Sequence, residues 1–161
     1  MLFYTGIYAF LAAAALLVRS PRSSWHAAVV TGGFLVLLMG GRQNVGCDYS
    51  NYELRFGWLY PEGYGWLDAF AETEGGFHWI NVLARDMGWG FHGVIMLCAV
   101  VYGFSLVRFS RLAPRPLALV AIAFPILVVQ LGMSGMRQAM AVAFLMLAYA
   151  AFAKRRQWIT A

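Results

Sequence analysis

All seven carboxylates of this 161-residue chain lie between residues 48 and 86, in the one long polar stretch of an otherwise apolar sequence. They are Asp48, Glu53, Glu62, Asp68, Glu72, Glu74 and Asp86. The rest of the chain consists of apolar runs joined by short loops that carry arginine. This partition is typical of an integral membrane protein with one polar loop, and we expect any catalytic or binding chemistry to lie there.

Arg137 stands at the start of the last apolar run, after the short segment of residues 133–136. An arginine at the entrance of an apolar helix is costly unless its guanidinium meets a partner or water. One interpretation is that the side chain extends to lipid phosphates. The other is an anion site, because a guanidinium next to the free N–H groups of a helix start suits a phosphate or diphosphate.

Residues 40–52 follow directly from the second apolar run and combine several glycines with Asn and Asp. This composition disfavours a continued straight helix, and the freed backbone groups need partners from protein or water. An irregular segment that carries Arg42 and Asp48 at a helix end is typical of polar sites near the membrane interface. The alternative is a glycine-rich exit turn whose Arg42 extends to the headgroups.

Two further features of the polar stretch have alternative interpretations. Trp58, Tyr60, Tyr64 and Trp66 cluster with glycine and Pro61, either as an aromatic belt at the water interface or as a platform for sugars. Apolar residues at 77, 80, 83, 84 and 87, with polar ones at 78, 81, 85 and 86, predict an amphipathic helix over 77–87 on the membrane surface. His78 is then a residue of a helix face. No cluster of residues has metal-ligand spacing, so we expect neither a metal site nor a cofactor.

Composition and apolar run lengths predict an all-α, polytopic membrane helical bundle. Hydrophobic residues make up 61% of the chain and charged residues 12%, against about 25% charged in soluble domains. A spanning helix needs about 20 mostly apolar residues. Five runs qualify as transmembrane helices of a single domain, over residues 2–18, 25–39, 91–107, 117–131 and 137–153, with residues 40–90 as a long outer loop.

The basic residues predict orientation rather than nucleic-acid binding. They concentrate in residues 19–24, 108–116 and 154–156, which fall on one side of a five-span protein. By the positive-inside rule that side is the cytoplasm, with the N-terminus and residues 40–90 outside and residue 161 inside. Because no basic helix face or basic–aromatic stripe occurs, the net charge of +5 does not indicate a nucleic-acid partner.

Three segments of the sequence resemble the EpsG family, polytopic proteins of bacterial exopolysaccharide and O-antigen synthesis related to the Wzy-type polymerases. Residues 42–52 resemble the family signature R-x-x-V-G-x-D-Y-x-x-Y, except that position 47 is Cys where Thr or Ser is expected. Residues 74–83 resemble its acidic-Gly-Phe segment before a helix, and residues 134–141 resemble its S-x-x-R-Q-x-x-A helix start. The resemblance covers residues 25–153, and because family members are longer it predicts that this chain is an N-terminal half.

The resemblance implies glycosyl transfer at the outer face of the inner membrane, in the manner of a metal-independent polysaccharide polymerase. The donor is a glycan on undecaprenyl diphosphate, and the acceptor is a sugar hydroxyl of another lipid-linked unit. It implies that Asp48 or Glu74 is the catalytic base and that Arg42 and Arg137 hold the diphosphate. Gln138, Tyr49 and Tyr52 are the further residues that it implies for substrate binding. An alternative for Asp48 is an ion pair with Arg42 or Arg137 that holds helices together.

Two other functions fit the same sequence features. One is a transporter or flippase that moves a lipid-linked sugar without forming a bond, because it too needs arginines and broken helices within the membrane. The other is a non-catalytic membrane subunit that joins other polysaccharide-assembly proteins. The expected partners are therefore a polyprenyl-diphosphate-linked oligosaccharide, membrane lipid and possible assembly proteins, with no nucleic acid.

Overall fold

The computed structural model describes residues 2–46, 48–59, 63–71 and 74–160, which are almost entirely helical. In chain order the elements are α1 (Leu2–Leu17), α2 (Pro21–Gly40), α3 (Tyr49–Leu59), α4 (Trp66–Ala71), α5 (Gly75–Asp86), α6 (Gly90–Ser110), α7 (Pro116–Ala123), a π-helical segment (Phe124–Gly132) and α8 (Met136–Thr160). No β-strand occurs within these ranges. The predicted all-α membrane bundle is therefore confirmed.

Three of the described helices are long and apolar enough to cross a bilayer. They are α2, α6 and the part of α8 over Met136–Arg155. Two apolar stretches are shorter: Leu2–Leu17 and Pro116–Gly132. The five-span arrangement and its boundaries stay a prediction.

Small residues let α2 and α6 pack closely as antiparallel neighbours. Gly32 of α2 lies against Val107 of α6, and Gly103 of α6 lies against Val36 of α2. A Cβ atom at either glycine would overlap the opposing valine side chain. Close approach through glycine is the usual means of helix association in membranes, where dispersion contacts replace the hydrophobic effect.

The two arginine-bearing connections lie at one end of the bundle. There the Leu117 N–H donates a hydrogen bond of 3.1 Å to the Ser24 hydroxyl, which joins the starts of α7 and α2. The guanidinium of Arg111 lies 5.0 Å from the centre of the Trp25 ring. The end of α2, the starts of α6 and α8 and the polar stretch lie at the opposite end. The described carboxylates therefore all lie at this second end of the bundle, whereas the side that faces the cytoplasm stays a prediction.

The fourth predicted span is not a straight α-helix, because its second half is π-helical. Pro125 lacks an N–H donor and its ring crowds the carbonyl four residues earlier, which disrupts regular α-helical bonding. The wider segment leaves carbonyl groups that need other donors. The hydroxyl of buried Tyr102 donates a hydrogen bond of 2.7 Å to the Leu127 carbonyl, and Arg42 donates to the Gly132 carbonyl.

The polar stretch contains more helix than its sequence pattern indicates. Residues 41–46 are irregular, as the glycines predict, but α3 begins at Tyr49 and α4 at Trp66. Tyr49, Tyr52 and Phe56 share one face of α3, and they pack in a cluster that includes Phe91 of α6 and Met140 of α8. Packing of this aromatic face outweighs the weak local helix signal of a segment rich in Ser, Asn and Tyr.

The chain forms α5 where the spacing predicts an amphipathic helix, but the packed face is different. Asn81, assigned to the polar face, is only 2% exposed. Its side-chain amide donates a hydrogen bond of 2.7 Å to the Phe77 carbonyl, which satisfies the buried group within the helix. Val82 and Ala84 are also buried, whereas Met87 is exposed. Packing of α5 on α4 and α6 decides this face, and its contact with a membrane surface stays a prediction.

Candidate functional site

Arg137 connects three segments that lie far apart in the sequence. Its Nη1 donates a hydrogen bond of 2.7 Å to the Glu74 carboxylate, and its Nε donates one of 3.2 Å to the Tyr52 hydroxyl. The guanidinium carbon also lies 5.6 Å from the centre of the Tyr52 ring. The first turn of α8 therefore meets α3 and the residue that precedes α5, so that a cation, a carboxylate and a phenol share one site.

Packing between aromatic side chains holds the partners of Arg137 in place. Tyr52 is 8% exposed on α3, and its ring centre lies 5.7 Å from that of Phe77 on α5. The Glu74 carbonyl accepts hydrogen bonds from the Phe77 and His78 N–H groups, which fixes the start of α5. This packing orients Tyr52 and Glu74 toward the α8 helix start from two independent elements.

The Arg137–Glu74 pair lies between two openings. A groove of about 440 Å³ runs along α8 on one side. It is lined by Glu74, Gly75, Gly76, Phe77, Arg137, Gln138, Met140, Ala141 and Phe144. A smaller pocket of about 30 Å³ on the other side includes Tyr52, Arg55, His78 and Asn81 in its lining. Both openings share Glu74, Phe77 and Arg137, so a ligand in the groove and a ligand at the pocket mouth would meet the same ion pair.

The ion pair is accessible to solvent and is therefore weak. The Arg137 and Glu74 side chains are 40% and 47% exposed. Exposed ion pairs contribute about 0–1 kcal/mol, because water and salt screen the charges. An incoming anion can consequently displace Glu74 from Arg137 at little cost.

Arg42 is in the opposite situation, because it is buried away from the groove. The residue is 6% exposed, and its Nη1 donates a hydrogen bond of 2.9 Å to the Gly132 carbonyl. Its Nε has no hydrogen-bond partner among the described residues. Burial lowers the pKa of Arg42, since loss of water disfavours the charged form. A cavity of about 10 Å³ adjoins it, shared with Cys98, Tyr102 and Met136.

Gly46 explains why the first motif carries glycine at this position. Its φ is +112°, a conformation that side chains disfavour. A Cβ atom here would overlap the carbonyl oxygen of Met133, in the connection before α8. The first motif (residues 42–52) therefore packs backbone to backbone against the start of the third motif (residues 134–141). Cys47, the departure from the family signature, lies outside the described residues.

The remaining predicted site residues take different positions. Asp48 is half-buried before α3, where its carbonyl accepts a hydrogen bond of 3.0 Å from the Tyr52 N–H. The two described ion pairs join Arg85 to Asp86 and Arg137 to Glu74 and do not include Asp48, whose role stays a prediction. Tyr49 is buried against Phe91, with ring centres 5.4 Å apart.

Gln138 is exposed and lines the groove beside Arg137. Its side-chain carbonyl lies over Gly135, where a Cβ atom would crowd it. The structure thus places Glu74, Tyr52, Arg137 and Gln138 together. It leaves Arg42 and Tyr49 in the core.

Sequence reasoning did not single out the residues that complete the lining. On α5 and the residue before it, positions 74, 77, 78 and 81 recur at helical spacing and all line the smaller pocket. On α8, positions 137, 140, 141 and 144 line the groove in the same way. Reading the two helical faces outward from Glu74 and Arg137 would have found Phe77, Asn81 and Phe144.

The aromatic cluster of the polar stretch is exposed and includes two residues, Phe70 and Trp79, that the sequence pattern missed. Trp66 and Trp79 have ring centres 5.0 Å apart, and Phe70 lies 6.3 Å from Trp79. Trp58 is exposed on α3, whereas Tyr60 and Pro61 lie outside the described residues. Both interpretations of this cluster, interfacial belt and sugar platform, stay predictions.

Within the described residues, no three His, Cys, Asp or Glu side chains lie close enough together to share a metal ion. A comparison with protein families matches residues 26–161 to the EpsG family. The chain belongs to the EpsG family. No curated protein and no solved structure matches it. Family membership and the apolar helices make this EpsG protein a membrane protein of exopolysaccharide biosynthesis.

Proposed function

We propose that this EpsG family chain polymerises lipid-linked glycan units at the outer face of the bacterial inner membrane. The observation that carries the proposal is an exchangeable Arg137–Glu74 ion pair at the head of an apolar groove. A glycan on undecaprenyl diphosphate is the donor, and a sugar hydroxyl of a second lipid-linked unit is the acceptor.

The groove suits an amphiphile with an anionic head. Arg137 and Gln138 supply hydrogen-bond donors at the end of the groove where α8 begins. Phe77, Met140 and Phe144 form an apolar wall along the rest of it. The N–H groups of the first turn of α8 add a positive dipole end that favours a diphosphate. A polyprenyl chain then continues along the apolar wall toward the lipid.

In this mechanism the diphosphate releases the base that the reaction needs. The diphosphate takes the place of the Glu74 carboxylate on Arg137, which frees Glu74 beside the reacting carbon. The acceptor hydroxyl gives its proton to Glu74 while its oxygen bonds to the anomeric carbon. The bond from that carbon to the diphosphate oxygen breaks, and the departing oxygen keeps the electron pair. Arg137 stabilises the charge that develops there.

Asp48 is the second candidate base in this proposal. It precedes α3, whose Tyr52 contacts Arg137, but it does not line the groove beside Arg137. Glu74 shares both openings with Arg137 and is therefore the preferred base.

The experiment uses a bacterial strain from which the gene encoding this chain is deleted. Variants Arg137→Ala, Glu74→Gln and Asp48→Asn are expressed in turn, their membrane levels are matched by immunoblot, and the surface glycan is sized on a gel. We expect at least about 100-fold less long polymer for the first two variants, because a charge stabiliser or a base contributes about that factor or more. Single repeat units should still reach the outer face.

The matched controls are Arg85→Ala and Asp86→Asn, which remove the partners of another ion pair, 2.7 Å long, at the end of α5. These variants should make full-length polymer. If repeat units no longer reach the outer face in Arg137→Ala, transport replaces polymerisation as the function. If every well-expressed variant makes full-length polymer, the ion pair is structural and the chain is a non-catalytic subunit.

A further inference from the structure

Arg42 is buried in a way that does not fit a diphosphate ligand. The cavity beside it has about 10 Å³ of room, which is about the space of one water molecule and far less than a diphosphate needs. The residues that line the groove do not include Arg42. The charged Arg42 guanidinium therefore interacts with groups inside the protein and not with a diphosphate.

The backbone around Arg42 supplies the negative partner that a buried cation needs. Arg42 lies two residues beyond the end of α2 and donates to Gly132, the last residue of the π-helical segment. The carbonyl end of a helix carries partial negative charge, and the end of the π-helical segment meets this guanidinium at Gly132. The same end repels an anion, whereas Arg137 stands at a helix start that attracts one.

The contacts of Arg42 lead directly to the position of Arg137. Residues 133–135 form the short connection between the π-helical segment, which ends at Gly132, and α8. Arg42 holds the Gly132 carbonyl, and Gly46 packs against the Met133 carbonyl. The Ala139 N–H then bonds to the Gly135 carbonyl as α8 begins. The connection is thus fixed from one side by residues 42–46.

We propose that Arg42 is a positioning residue, which fixes the connection before α8 and thereby aims Arg137 at the groove. The inference rests on the proposed function for the role of Arg137, but the arrangement exists without any substrate. It reassigns Arg42 from diphosphate binding, which the family resemblance implies, to backbone anchoring. Within the first motif, Arg42 and Gly46 then both fix the connection before α8.

The test is hydrogen–deuterium exchange on the purified protein in detergent without substrate, for wild type, Arg42→Met and Arg137→Met. In Arg42→Met, amides of residues 132–139 should exchange about 10- to 100-fold faster, the factor that loss of a charged hydrogen bond produces. Amides of α6 should keep their protection. Arg137→Met, a substitution of the same kind at the second residue of α8, should leave the exchange of residues 132–135 unchanged.

Unchanged exchange at residues 132–139 in Arg42→Met would overturn the proposal, and so would an equal loss of protection in α6, which would show a global rather than a local role. Arg42→Lys serves if Arg42→Met is not recovered from membranes. It keeps the charge and one donor, and it should give a smaller increase confined to the same residues. Because no glycan is measured, failure of the polymerase proposal in the gel experiment would leave this result interpretable.

Discussion

Arg42 and Arg137 are the same residue type in neighbouring positions of the fold, and their surroundings give them opposite tasks. Arg137 is half-exposed at a helix start and pairs with Glu74. Arg42 is buried between helix ends and holds a backbone carbonyl. Helix dipoles favour an anion at the first position and disfavour it at the second. At the residue scale, burial and helix polarity therefore decide which arginine can meet a substrate.

A prediction at the same scale concerns Gly46. Replacement by alanine should lower the free energy of unfolding by roughly 2 kcal/mol or more, because the backbone has positive φ and the new methyl group meets the Met133 carbonyl. Thermal unfolding in detergent measures the loss. Gly57→Ala is the control, since a Cβ atom at Gly57 meets nothing within 4 Å. Equal melting temperatures for the two variants would contradict the close approach of the first and third motifs.

At the scale of elements, the π-helical segment is the part of the fold that most needs outside support. Its carbonyls at Leu127 and Gly132 accept hydrogen bonds from the side chains of Tyr102 and Arg42. Two different elements, α6 and the segment after α2, thus complete the bonding of a third. Helix irregularity at membrane depth is tolerated where the protein supplies such donors.

Tyr102→Phe tests this support. The loss of the hydroxyl removes the hydrogen bond to the Leu127 carbonyl and should cost about 0.5–1.5 kcal/mol. We expect faster hydrogen exchange over residues 124–132 and a lower melting temperature in detergent. Tyr8→Phe removes a hydroxyl from an exposed tyrosine and should change neither quantity. Wild-type exchange in Tyr102→Phe would show that the π-helical segment is stable without this donor.

At the scale of the whole molecule, the described carboxylates all lie at one end of the bundle, together with Arg137 and its groove. The ion pair and groove lie at the end where α8 begins, and Arg111 lies with Trp25 at the other. In the proposed function a lipid-linked substrate meets Arg137 at this end of the bundle only, which fits a polymerase better than a conduit. The orientation of that side is the prediction that most affects the proposed function.

Cysteine labelling determines the orientation. Gln43 and Leu112 are exposed residues at opposite ends of the bundle. In a variant without Cys47 and Cys98, Gln43→Cys should react with a membrane-impermeant maleimide in intact spheroplasts. Leu112→Cys should react only after permeabilisation, because the positive-inside rule places its arginine-rich loop in the cytoplasm. The reverse pattern would place the groove in the cytoplasm and would contradict polymerisation at the outer face.

The sequence by itself determined the membrane class, the helical architecture and the family. Run length, composition and charge placement are local quantities, and they largely determine how a chain inserts into a bilayer. It also indicated Arg137 and Glu74, because an arginine at an apolar helix start and an acidic residue before α5 can be recognised from the sequence alone.

Only the tertiary structure decided which candidates meet. The pairing of Arg137 with Glu74 and Tyr52 joins residues 63 and 85 positions apart, and the burial of Arg42 depends on a carbonyl 90 positions away. The helix α3, the π-helical segment and the buried Asn81 were likewise set by packing between elements. Local propensity carries no information about such contacts, because side-chain burial and carbonyl partners exist only once distant helices have come together.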